Sequence, residues 1–150
     1  MDYSVEESPI LPGCSIYRHG DRLSLYCCDV FEMTVELLGG RCEYLYDRAA
    51  IGAIEYEHKG RYADVVQSVL TPTSEGLIES MLFDPSSRPC PPSSTSKDDL
   101  VRFYGRRFTV EVLSEKKSSE LPEWYSSKAP GLADASYGFY YICSKAISVE

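Results

Sequence analysis

The sequence has no apolar run near the ~20 residues that a membrane-spanning helix needs. Its first residues, Met1-Asp2-Tyr3-Ser4-Val5-Glu6-Glu7, show neither a basic region nor the apolar stretch of a secretory leader. The expectation is a cytosolic or nuclear protein with no membrane contact. Histidine is scarce, with only His19 and His58, and the cysteines (Cys14, Cys27, Cys28, Cys42, Cys90, Cys143) contain no C-x-x-C pair. A structural zinc site is therefore disfavoured, and without a secretory context the thiols are expected to be free. Basic residues are outnumbered 15 to 23, which gives a net charge of -8 and a pI near 4.8. Direct nucleic-acid binding is not expected, because a phosphate-binding surface needs clustered Lys and Arg. Arg102, Arg106, Arg107, Lys116 and Lys117 read as a solvated strand edge. Also missing are G-x-S-x-G, H-E-x-x-H, a phosphate loop and a dinucleotide fingerprint. No catalytic residue, cofactor-binding residue or metal ligand is assigned.

What is present is a globular composition, 43% apolar and 25% charged over 150 residues, consistent with one domain. The chain is organised around Lys59 to Leu70. Tyr62, Val65, Val66, Val69 and Leu70 fall at i, i+3, i+4, i+7 and i+8, the stripe of an amphipathic helix. Thr71-Pro72 ends it, since the residue before proline leaves the α region. A polar turn over Thr73 to Gly76 then leads to a buried strand from Leu77 to Phe83.

Upstream, Ser15 to Arg18 and Arg22 to Cys28 read as short strands around His19-Gly20-Asp21. Phe31, Met33, Val35 and Leu37 alternate with Glu32, Thr34 and Glu36, the period of a half-buried strand. Gly39-Gly40 supplies a hairpin turn, and Arg41 to Tyr46 returns as its partner with Cys42, Tyr44 and Tyr46 on one face. Asp47 to Glu57 is a crossover of open type, with Ile54-Glu55-Tyr56 a possible short strand. Downstream, the Pro- and Ser-rich stretch Asp84 to Ser96 is a surface loop. Ser96 and Asp99 have capping-box spacing and open a helix through Tyr104. Arg107 to Leu113 is a strand with Phe108, Val110 and Val112 inward, and Leu113 to Ser118 is a hairpin tip. For Asp134 to Glu150 a helix is favoured, with a strand through Tyr137, Phe139, Tyr141 and Cys143 as the alternative. Among the twelve tyrosines and the single tryptophan, Trp124-Tyr125 is the best interface anchor.

The order strand pair, crossover, His58-Lys59-Gly60-Arg61-Tyr62 helix, Thr73-Ser74-Glu75 turn, strand, Ser96-Lys97-Asp98-Asp99-Leu100 helix and Arg107 to Val112 strand resembles a known head domain. It is that of the centriolar cartwheel (spindle assembly abnormal protein six) and end-joining scaffold superfamily, on the side of its centrosomal relative, coiled-coil domain-containing protein sixty-one. The resemblance implies an α+β fold: an antiparallel β-barrel or sandwich head (1–133) with a helix-turn-helix element, and a C-terminal segment (134–150) opening a coiled-coil stalk. It implies a non-enzymatic scaffold of the centriole, basal body and cilium, placed in the cytoplasm, cytoskeleton and centrosome. The head would self-associate as a homodimer or homo-oligomer and meet microtubules or other centriolar proteins. Its contact would fall on Leu113, Ser114, Glu115 and Lys116, with Trp124 and Tyr125 beside them. Two alternatives stand with it: a nuclear end-joining scaffold, and a small barrel enzyme or ligand-binding protein with a pocket lined by Tyr44, Tyr46, Tyr56 and Tyr62.

Overall fold

The computed structural model describes residues 4–84, 86, 91–122 and 135–145. Two open sheets are present, and neither closes into a barrel. The first is an antiparallel meander of β1 (Ser4–Glu7), β2 (Ser15–His19) and β3 (Leu23–Cys27). The second contains β4 (Cys42–Arg48), β5 (Leu70–Leu82), β6 (Phe108–Lys117) and β7 (Ser136–Ser144) in the order β4-β5-β7-β6. Within it β4 and β5 run parallel, whereas β7 is antiparallel to both β5 and β6. A parallel pair cannot be joined by a tight turn. Here the crossover is built from α2 (Ala50–Ala53) and α3 (Lys59–Ser68), with α4 (Lys97–Tyr104) following β5.

The organising helix forms as the sequence implies, and its buried stripe is Lys59, Tyr62, Ala63, Val66 and Gln67. It packs with Leu100 and Tyr104 of α4 onto one face of the sheet, where Ile78, Val110, Tyr140 and Ile142 complete the main core. The α4 capping box is formed, with the Asp99 amide donating to Ser96 Oγ at 3.1 Å and the Ser96 amide to Asp99 Oδ2 at 3.0 Å. Gly76 allows the close β4–β5 approach: a Cβ there would lie 2.8 Å from Leu45 Cβ and 3.2 Å from Ile142 Cγ1.

The expected strand over Phe31 to Leu37 is not formed. Its place is taken by a 3-10 turn (Val30–Glu32) and α1 (Val35–Leu38). The Asp29 and Thr34 side chains accept from the Phe31 and Leu37 amides, offering the backbone local partners in place of a ladder. Gly39, at φ 74°, closes α1 in the left-handed region, so the glycine pair ends a helix and does not turn a hairpin. The antiparallel barrel loses its founding ribbon with it. Cys42, Tyr44 and Tyr46 do share a face, but that face is exposed while Leu45 and Asp47 turn inward.

Three further expectations are corrected. No polar turn follows α3: β5 begins at Leu70 and runs through Thr73 to Gly76 without a break. Ile54 to Tyr56 is not a strand, and a 3-10 turn spans Tyr56–His58. The favoured C-terminal helix, and the stalk it would open, give way to β7, because a row of aromatic and β-branched residues fills the gap between β5 and β6. Leu113 to Lys117 is no hairpin tip either; β6 continues past a bulge between Val112 and Ser114, and Val112 is 42% exposed at this edge strand.

Candidate functional site at the carboxyl end of the parallel pair

In open α/β sheets, ligands bind in the crevice beyond the carboxyl ends of the parallel strands. At that end of β4 stand Asp47 and Arg48. Asp47 is almost wholly buried. Its Oδ1 accepts from the Ala50 amide at 2.7 Å and the Ile51 amide at 3.3 Å, and its Oδ2 from the Tyr62 hydroxyl at 2.9 Å. Burial pushes the Asp47 carboxyl above the usual carboxylate range, against these three donors. Ala49, at φ 59°, turns the chain sharply from β4 into α2. Arg48 points to the opposite face, half-exposed, with Nε 3.8 Å from Oε2 of the buried Glu79.

A cleft of about 540 Å³ opens at the same end of β5, lined by Tyr56, Leu82, Phe83, Ser94, Ser96 and Asp99. Its polar rim is a connected set. The Tyr56 hydroxyl donates to Asp99 Oδ1 at 2.7 Å, and Arg102 Nη2 donates to both, at 2.7 Å and 3.1 Å. Burial alone would raise the Asp99 carboxyl, but bonds from Tyr56 and Ser96 hold it below the usual range. The floor is fixed by Lys59, fully buried on α3. Its ammonium donates to the Ser94 carbonyl at 2.9 Å, the Ser93 carbonyl at 3.3 Å and Thr95 Oγ1. Burial brings the Lys59 ammonium down to about 8, against the opposing charge of Asp99. An apolar cleft with one aromatic wall and a few convergent polar groups suits a flat, mostly apolar ligand.

The residues named from sequence are not brought together here. Leu113 sits on the β6 bulge, 58% exposed, while Ser114, Glu115 and Lys116 pair with Phe139, Gly138 and Tyr137 of β7. Trp124 and Tyr125 lie outside the described residues. Of the tyrosines proposed to line a barrel, Tyr62 is in the core, Tyr56 is in the cleft, and Tyr44 and Tyr46 lie exposed on the other face of the sheet. Sequence reasoning passed over Lys59 as a helix start, although it stands three and four residues before Tyr62 and Ala63 on the buried stripe. It passed over Asp47 and Asp99 as functional groups because carboxylates are abundant in this chain. Among the described residues no group of three or more His, Cys, Asp or Glu could hold a metal ion.

A mixed, open α/β sheet with helices crossing one face and a cleft at the strand ends is the architecture of a ligand-handling enzyme domain, not of a barrel head. The family model described as thiopurine S-methyltransferase matches residues 5–143, and the chain belongs to that family. It is 37% identical over 101 residues to a thiopurine S-methyltransferase of Pseudomonas fluorescens, covering 67% of this chain and 45% of the relative. The corresponding enzyme of Methylococcus capsulatus is 32% identical over 117 residues, 78% of this chain and 52% of the relative. That of Mus musculus is 26% identical over 121 residues, 80% and 50%. The chain thus spans about half the length of the curated relatives it matches. These matches overturn the kinship with centriolar and end-joining heads, and with it the non-enzymatic scaffold, the coiled coil and the centrosomal, basal-body or ciliary placement.

Proposed function

We propose that this chain forms the acceptor side of a methyltransferase acting on a flat aromatic or heteroaromatic thiol of the thiopurine kind. The observation that supports this most is the position of the Tyr56–Phe83 cleft at the carboxyl end of the parallel pair, in a chain of this family. Tyr56 and Phe83 offer apolar surface to a planar ring, and Ser94, Ser96 and Asp99 offer polar contacts at its edge. Lys59 and Asp47 do not meet the ligand: they fix, respectively, the 93–95 segment and the turn into α2.

Methyl transfer to sulfur needs an electrophilic methyl donor, in this family S-adenosylmethionine. The residues present do not make a site for it. The sequence has no glycine-rich loop joining a strand to a helix, and among the described residues β4 is the last strand on its side of the sheet. The chain's own part is therefore to bind and orient the acceptor.

The test is a titration of the chain with 6-mercaptopurine, followed by amide chemical shifts. Saturable binding with shifts centred on Tyr56, Phe83 and Ser94 to Asp99, weakened at least tenfold by Tyr56→Ala, is expected. No binding, or shifts clustered away from this cleft, would remove the acceptor-site reading.

A further inference from the structure

Helices cover only one face of the four-stranded sheet. On the other, the aligned rows Tyr44–Glu75–Cys143–Thr109 and Tyr46–Leu77–Tyr141–Glu111 cross the strands. Tyr44 is 73% exposed, Tyr46 69% and Leu77 46%. The outer rim of this face is β4, paired on one side only and in parallel. Strands in parallel pairing are normally buried on both faces, and an open edge beside exposed aromatics is a template for another strand.

From this geometry, together with a length about half that of the family's members, we infer that the β4 edge and the Tyr44–Tyr46–Leu77 face dock a separate polypeptide. That partner carries the portion of the family fold this chain does not span. It adds a strand parallel to β4 and lays an amphipathic helix over the two tyrosines. A second copy of this chain fits poorly. Each copy brings a net charge of -8, and the surface itself carries Glu43 on the edge strand with Glu75 and Glu111 on the exposed face, so self-pairing sets like charges together. The partner's contact surface is accordingly apolar at its centre and basic at its rim. It also provides the donor-binding loop, which resolves the misfit between this chain and S-adenosylmethionine; in that respect the inference rests on the proposed function.

The experiment co-expresses this chain with the part of the Pseudomonas fluorescens relative that lies outside the matched region. Light scattering gives the stoichiometry, and amide exchange is read over residues 42–48. The expected result is a 1:1 complex at micromolar concentration, with β4 amides protected at least tenfold over the isolated chain. Tyr46→Lys and Tyr44→Lys, both at exposed positions, should abolish the complex and leave the thermal melt of the isolated chain unchanged. No complex, a homodimer of this chain, or a complex whose protection lies away from β4 would overturn the inference. S-adenosylmethionine binding is measured on the complex separately. A complex that forms without binding the donor keeps the docking surface and counts against the methyltransferase reading alone.

Discussion

Replacing Lys59 by Met tests how the cleft is held. Methionine keeps the apolar stem inside the α3 stripe but removes the ammonium that bonds Ser93, Ser94 and Thr95. Each buried acceptor left without a donor costs about 1–3 kcal/mol. The Ser93 and Ser94 carbonyls belong to half-buried residues that can take water, whereas Thr95 cannot. A net loss of about 2–3 kcal/mol at pH 7 follows, a large share of the ~5–15 kcal/mol that holds a domain of this size. The pH dependence isolates the charge. With the folded-state value near 8 and the ordinary value 10.5, both states hold the proton below pH 8 and the contribution is flat. Between pH 8 and 10.5 the unfolded chain binds more protons, so unfolding free energy rises with pH, by at most ~3 kcal/mol across the window. Lys59→Met lacks this rise, so the gap between wild type and variant widens above pH 8. Buried Tyr62 and Tyr104, whose hydroxyls are raised by burial, act in the opposite sense above pH 10 but cancel in the difference. Urea denaturation followed by far-ultraviolet circular dichroism between pH 7 and 9.5 measures both quantities. A variant within ~0.5 kcal/mol of wild type at pH 7, with a parallel pH profile, would refute the account.

Asp47→Ala strips the partners from Tyr62 and two amides and should cost about 3–4 kcal/mol, against about 1–2 for Asp47→Asn, both read by urea midpoints. Because burial raises the Asp47 carboxyl, the native state takes up a proton before the unfolded chain does. Wild type should therefore gain stability relative to Asp47→Asn as pH falls through the folded value towards about 4, as a paired titration would show. Gly76→Val must part Leu45 from Ile142, and should lose about 2–3 kcal/mol with faster amide exchange along β4. Gly138→Val drives a side chain into the Tyr140 ring, where a Cβ alone would lie 2.5 Å from Cζ; loss of near-ultraviolet dichroism at ambient temperature checks it.

Local signals in the sequence were read well where one element sufficed. The Tyr62 to Leu70 stripe, the Ser96–Asp99 box and the β2–β3 pair all appear as their periodicity and capping residues imply. What failed was pairing. Nothing in residues 41 to 46 says whether the neighbouring strand runs parallel, and the alternation over 31 to 37 was outweighed by two short polar side chains that satisfy the backbone locally. Once that ribbon was misassigned, a barrel followed from it. The candidate site was hardly legible, because its parts sit at Asp47, Tyr56, Lys59, Phe83 and Asp99 and meet only through the crossover. The expectation that thiols are free holds for Cys14, Cys27, Cys28, Cys42 and Cys143; Cys90 is outside the described residues.

The place of β7 has a consequence for biogenesis. Ser136–Ser144 lies between strands that begin at Leu70 and Phe108, so β5 and β6 remain apart until nearly the whole chain has left the ribosome. Until then the emerging polypeptide exposes Ile78 and Val110 with no sheet to shelter them, and such long-range closure is slow. The nascent chain is therefore a natural client for a holding chaperone, and removal of this one segment should unmake the sheet as a whole.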